Sequence, residues 1–349
     1  MSLFVAFLKI MKIKGSKGLY YLLFVGSIIF YFIIVGLRGE GMGTDYYQYR
    51  GFFYDPNYTE PGYNLLMKGF KLFINDYHAF LAFLALISIY CRYWLFSKIS
   101  YEMSISFMMM GGFWLLVYDM NGIRQTLSLC FIGIAGYQVL ARNFKLFLLF
   151  TAIATSIHYS SFVFFISYFV FHRLNLTKGH MMFFVFLMYF LAVLNISGYI
   201  FSLFMDSSFG GVFNDKVTIY SRMNEHNANT VFSFNMFHRI FIFLVVFFTV
   251  DKIPASNNLK KFLLIMAFLN IFFFLLMSRF ELIAVRGSLP YRFFELVYFS
   301  YLPFCFRNKH IQFWMTFLLF LYVCFQIFIT INVTSEIDNT LVPYKNILF

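Results

Sequence analysis

The apolar positions of this chain do not keep the two-residue or three-and-four-residue rhythm of a protein with one wet face; they form long, nearly unbroken runs. A helix that is apolar all round is buried in protein or lipid, and about 20 such residues cross a hydrocarbon core ~30 Å thick. The pattern predicts about eleven such helices: Leu19–Leu37, His78–Phe96, Met103–Asp119, Ile123–Leu140, Phe144–Ile157, Tyr159–Phe171, Met181–Ile200, Phe234–Val250, Phe262–Ser278, Tyr291–Phe306 and Ile311–Ile331. The fifth and sixth are short. Basic residues flank them on one predicted side, so the block Phe144–Phe171 turns back near His158.

Two connections on the other side are long enough to have structure of their own, 38–77 and 201–233. In the first, Asn64, Lys68, Lys71 and Asn75 follow one helical face and Leu65, Leu66, Phe70 and Phe73 the other, which predicts an interfacial helix over 62–75. The second carries Gly210-Gly211, Tyr220, Arg222 and a polar run, and is long enough to cover a substrate. The opening MSLFVAFLKIMKIKGSK places its lysines after an apolar stretch and reads as an interfacial lead-in rather than a secretory signal. With no repeat and no low-complexity tract, residues 1–349 read as a single all-α polytopic membrane domain.

Composition agrees: 61% of residues are hydrophobic and only 12% charged, too few to cover a soluble surface. Cys91, Cys130, Cys305 and Cys324 lie inside apolar runs and read as small core residues, with neither metal nor disulfide spacing. The net charge of +12 lacks the continuous basic face that nucleic acid requires. It follows membrane topology instead. Fifteen basic residues, Arg92 and Lys98 among them, fall on predicted cytoplasmic connections, placing the N-terminus inside. Of the twelve assigned to the outer half, eight are arginine, against four of fifteen inside, and orientation alone gives no reason for that switch. A guanidinium fork that grips a diphosphate or carboxylate at two points does.

Four constellations could carry chemistry. Arg38 to Tyr49, RGEGMGTDYYQY, sets Asp45 among Tyr46 and Tyr49, offering a proton-accepting carboxylate and sugar-stacking rings, or simply an interfacial tyrosine belt. NGIRQ places Arg124 at the start of the fourth span, facing an anionic headgroup or snorkelling. His158 stands at the apex of the short pair, as a base, a phosphate donor or a cap on exposed carbonyls. Arg279, Arg286 and Arg292 crowd the tenth span, with Glu281 and Glu295 able to neutralise part of their charge.

No P-loop, nucleophile elbow, Cys/His cluster or D-x-D pair accompanies them, so a transferase activity here is expected to need neither metal nor cofactor. Arg38, then Gly43-Thr44-Asp45-Tyr46 and Tyr49, Glu60-Pro61-Gly62-Tyr63, Arg124-Gln125, His158 with Ser160, Arg292 and Pro343-Tyr344 resemble, in order and spacing, the EpsG-type branch of the Wzy polymerases of bacterial O-antigen and exopolysaccharide. The chain departs from that pattern at Tyr291, where an acid is expected, and at Ser161, where alanine is.

The resemblance implies a fold similar to the GT-C glycosyltransferases and O-antigen ligases, in the bacterial inner membrane. It further implies transfer of a growing glycan, with inversion, from undecaprenyl diphosphate to a new lipid-linked repeat unit on the periplasmic side. Asp45 or His158 would be the base. Arg124, Arg286 and Arg292, with Arg279 and Arg38, would hold the diphosphate, and Tyr46, Tyr49, Tyr220, Glu60 and Arg222 would contact sugar. Expected partners are the lipid-linked donor and acceptor, membrane lipid, a chain-length regulator and a flippase, and no nucleic acid. Three other readings share parts of this pattern: an O-antigen ligase using lipid A core as acceptor, a lipid-linked oligosaccharide flippase, and a membrane acyltransferase. A flippase needs charge through both halves of the membrane, whereas the inner halves of these spans are nearly uncharged.

Overall fold

The computed structural model describes residues 2–11, 17–55, 59–196, 232–278, 280–337 and 340–348. The helices, in chain order, are α1 (Ser2–Met11), α2 (Lys17–Gly36), α3 (Tyr46–Tyr54), α4 (Pro61–Lys71), α5 (Tyr77–Ile99), α6 (Met103–Met109), α7 (Ile123–Leu140), α8 (Phe144–Ile157), α9 (Ile166–Arg173), α10 (Lys178–Val193), α11 (Phe234–Thr249), α12 (Asn257–Leu276), α13 (Glu281–Arg292), α14 (Glu295–Phe299) and α15 (Lys309–Ile337). α6 continues into a π-helix, Met110–Asp119, and a 3-10 helix, Tyr159–Phe165, precedes α9. The protein is an all-α polytopic membrane protein. Among the described residues five helices are long and apolar enough to span: Gly18–Gly36, Tyr77–Ile99, Phe234–Lys252, Asn257–Leu276 and Lys309–Asn332.

Met103–Asp119, Phe144–Ile157 and Lys178–Val193 are apolar and shorter. The clearest departure is the tenth expected span, Tyr291–Phe306. Its backbone is the end of α13, α14 and a short 3-10 helix, Leu302–Cys305, which Pro303 opens in its first turn. The π-helix is kinked as well. At Gly112 the backbone leaves the helical region (ψ −124°), and a Cβ there would stand 2.6 Å from Oε1 of Gln326.

The described residues form two compact units. The first is 1–162, 253–255 and 296–349; the second is 163–252 and 256–295. The junctions at 162/163 and 295/296 fall inside apolar stretches with no linker composition, which is why the sequence reads as undivided.

In the first unit α7 packs on α5 and α8, and α2 lies against α5. α1 packs against α6 and α15, with Val5, Ala6 and Ile10 buried and Phe7 stacked on Phe313 at 4.2 Å. α3 and α4, from the loop predicted over 38–77, dock through Tyr46, Tyr49, Phe53, Tyr63 and Met67 on Phe80 and Leu84 of α5. The stripe Tyr63–Met67 is buried, whereas Leu65 and Phe73 of the expected apolar face remain exposed. Cys91 and Cys130 are core residues as expected, but Cys324 is exposed on α15.

The second unit is built round α12. Of its apolar window 72% is buried, against 17% for α2, so α12 is a central helix and α2 a peripheral one. α10, α11 and α13 surround it.

Candidate functional site

The first unit gathers its polar side chains where α3, α4, α7 and α8 begin or end. Glu60 caps α4 with Pro61 at the first helical position, a residue whose missing N–H costs nothing there. Its buried carboxylate accepts from Arg124 Nη1 through Oε2 and lies 3.4 Å from Nδ1 of His158 through Oε1. Burial alone raises a carboxyl, but the hydrogen bond from His158 and the Arg124 guanidinium outweigh it and hold Glu60 down at about 2. The guanidinium also lies over the rings of Tyr49 and Phe52, 5.4 Å from each.

His158 reaches this point because α8 stops beneath it. Its backbone is extended (φ −152°, ψ 116°), and its N–H still closes on Ala154 at 2.9 Å. The expected break near His158 is therefore present. Ser161, the departure from alanine, has a role of its own: its hydroxyl shares a 2.5 Å hydrogen bond with Ser128 of α7. Gly62 sets how closely α4 meets α8, since a Cβ there would lie 2.2 Å from Ser156 Oγ and 2.8 Å from its carbonyl carbon. The EPGY and SIHYSS segments are thus in contact, 98 residues apart at Glu60 and His158.

Asn121 joins the other two motifs. Its Oδ1 accepts the Thr44 N–H at 2.8 Å while its Nδ2 donates to Leu116 at 3.0 Å. Gly43 sits at φ +99°, and a Cβ there would meet Asn121 Oδ1 at 2.5 Å, so glycine is required on both counts. Asp45 opens α3 and pairs with the Thr44 hydroxyl at 3.3 Å. Tyr46 and Tyr49, expected as sugar platforms, are core residues at 1% and 5% exposure, with the Tyr46 hydroxyl 3.2 Å from His78 Nε2. Burial pushes the Tyr46 phenol up to about 12.

Arg38 is sealed. Its Nη1 donates to the Asp119 carbonyl at 2.9 Å, and burial pushes its guanidinium below the ordinary range. Its backbone bridges to Asn346, and the Tyr344 hydroxyl donates to the end of α2 at 3.0 Å, so Pro343-Tyr344 clasps the Arg38 segment. Arg92, expected as a cytoplasmic loop charge, lies buried within α5 and holds Asp119 through two nitrogens at 2.6 and 2.9 Å, with Tyr31 on the same carboxylate. A long apolar run hid a residue whose partner is 27 positions away.

In the second unit the sequence reading missed Arg239 and Asn270. Arg239 is fully buried in α11, bonded to Asn270 Oδ1 and, at 3.2 Å, to Asn235, with its guanidinium 4.3 Å from the Phe274 ring. Asn270 passes the connection to Glu295 at 3.0 Å, and Glu295 lies 3.5 Å from Arg292. The signal was available: an asparagine inside a 20-residue apolar helix is costly without partners. Arg286 is half-buried on α13, but six residues turn a helix by about 600°, so it does not share a face with Arg292. Arg279, Tyr220 and Arg222 lie outside the described residues.

Among the described residues no group of three or more His, Cys, Asp or Glu could hold a metal ion. No match was found among curated proteins or solved structures. The family model of the EpsG family matches residues 21–346, nearly the whole chain and every motif gathered above. The chain therefore belongs to the EpsG family, whose members are polysaccharide polymerase-type membrane proteins.

Proposed function

We propose that the protein polymerises a bacterial O-antigen or exopolysaccharide at the periplasmic face of the inner membrane, with its N-terminus cytoplasmic. The growing glycan on undecaprenyl diphosphate is the donor and a newly delivered lipid-linked repeat unit the acceptor. One observation supports this most: three segments far apart in sequence place Arg124 and His158 on the carboxylate of Glu60.

That arrangement suits displacement at an anomeric carbon. Glu60, ionised and 3.4 Å from Nδ1 of His158, favours a proton on that nitrogen and so leaves Nε2 as the basic one. Nε2 takes the proton from an acceptor hydroxyl as its oxygen attacks the donor's anomeric carbon from the face opposite the diphosphate. The bond from that carbon to the diphosphate oxygen breaks, its electron pair leaves with polyprenyl diphosphate, and configuration inverts. Arg124 holds the charge that develops there, a contribution of about 3 kcal/mol for a well-placed donor. Glu60 thus becomes a positioning residue rather than a sugar contact, and His158 is preferred to Asp45 as base. Arg292 pairs with Glu295 directly and Arg239 reaches it through Asn270, and two guanidiniums to one carboxylate leave a positive excess that suits an anionic headgroup.

The test uses purified protein and a synthetic polyprenyl-diphosphate-linked repeat. Wild type makes a ladder of products and His158→Ala makes none at equal yield and thermal stability. A ladder from His158→Ala removes the base. Wild-type transfer only to lipid A core identifies a ligase.

A further inference from the structure

A small cavity lies in the first unit where the end of α2 meets α5, the end of the π-helix and α7. It measures about 20 Å³ and is lined by Arg38, Ser88, Asp119 and Thr126 among apolar side chains. A volume of that size takes one water or one ion of similar radius, and nothing as large as a diphosphate.

Three of these side chains hold polar atoms that the protein leaves unused. Arg38 is 1% exposed; its Nη1 donates to the Asp119 carbonyl, but Nε and Nη2, which share one edge of the guanidinium plane, meet no acceptor. Ser88 and Thr126 are buried within α5 and α7, and their hydroxyls make no hydrogen bond either. The ordinary outlet for a helical hydroxyl is the carbonyl one turn back, and Thr151, Thr155, Thr249 and Thr316 all take it, at 2.6–2.9 Å. Ser88 and Thr126 do not.

Charge decides between a water and an ion. Arg92 and Tyr31 already occupy the Asp119 carboxylate, and among the described residues no acid pairs with Arg38. Arg38 and Arg92 against Asp119 leave one positive charge sealed from water, which is costly until an anion joins it. We propose that the cavity binds a monovalent halide, chloride in size, which accepts from the Nε–Nη2 edge of Arg38 and from the hydroxyls of Ser88 and Thr126. The ion ties the end of α2 to α5 and α7, and Thr126 stands two residues beyond Arg124. This site is independent of the reaction proposed above.

The test is thermal melting of the full-length protein in nanodiscs, dialysed into sodium gluconate and titrated with sodium chloride at constant ionic strength. Gluconate is too large for the cavity. Wild type is expected to gain about 3 °C along a saturating curve, as a ligand of the folded state gives at roughly tenfold above its Kd, and bromide should substitute for chloride. Thr126→Val keeps the volume, removes the hydroxyl and should weaken the halide about tenfold. Ser88→Asp brings a carboxylate to Arg38 from within the chain, so its melting temperature should no longer respond to halide. If the aspartate variant does not fold, Ser88→Ala takes its place and should weaken the halide as Thr126→Val does. A linear response with no saturation, or the same halide affinity in wild type and the hydroxyl variants, overturns the site. Equal melting in chloride and gluconate overturns it too, and makes water the occupant.

Discussion

Arg92 meets Asp119 through two nitrogens, and neither side chain exceeds 1% exposure; Arg124 meets Glu60 through one, with 17% of its side chain open. Both are arginine–carboxylate pairs in the same unit. What differs is the third member. Tyr31 completes the Asp119 carboxylate with a phenol, whereas Glu60 turns its second oxygen to the His158 imidazole, whose ring carries two nitrogens able to hold a proton. The Asp119 pair holds α2 and α5 to the end of the π-helix. The Glu60 pair stands where helices end, with part of the Arg124 side chain open.

The largest effect expected from this contrast is on stability at Arg92. Arg92→Met leaves the buried Asp119 side chain without its arginine partner, at a cost of about 3–5 kcal/mol. Thermal melting in detergent should show it, and Arg92→Met with Asp119→Leu should recover most of the loss. A single variant that melts like wild type would mean that the pair is not the clamp described here.

Next comes Arg124→Lys, where the effect should fall on rate. Lysine keeps the charge and loses the planar fork, so polymerisation is expected to drop about 10²- to 10³-fold with little change in melting temperature. Equal loss of stability and rate would erase the distinction between the two arginines.

How much of this contrast the sequence carried depends on how far each partner lies along the chain. Arg124 and His158 were legible, because a charged or titratable residue at a break in an apolar run is costly unless used. Glu60 was legible only as a motif member. Its role comes from Arg124, 64 positions on, and periodicity carries no information across that gap. Arg92 was misread because a guanidinium near the end of a span can equally snorkel to the surface or turn inward to Asp119. Helix positions were read well where the runs were unbroken, as at Ile123–Leu140 and Phe144–Ile157. They were read badly at Tyr291–Phe306, where the helix stops after Arg292 and Pro303 opens a separate 3-10 helix.

The third prediction concerns pH. Glu60 is depressed from 4.5 to about 2, so its contribution is fully present above 4.5 and is lost as pH falls through about 2. At ~1.4 kcal/mol per unit it amounts to about 3 kcal/mol. The melting difference between wild type and Glu60→Gln should therefore shrink steadily as pH falls from about 4.5 towards 2. A difference that shrinks already between pH 7 and 6 would assign the titration to another group.

The smallest effect tests whether close approach of α4 to α8 matters to the Glu60 pair. In Gly62→Ala the new methyl must displace Ser156, whose Oγ can move but whose carbonyl carbon at 2.8 Å cannot move without the helix. Overpacking of this kind costs about 1–3 kcal/mol. Because α4 begins at Pro61, its displacement carries Glu60 away from His158, so rate should fall more than stability. Adding Ser156→Gly removes the hydroxyl but not the backbone contact, and should restore part of the melting temperature and little of the rate. Full recovery of rate in that double variant would mean that helix spacing does not set the Glu60–His158 distance, leaving Arg124 as the residue that positions the carboxylate.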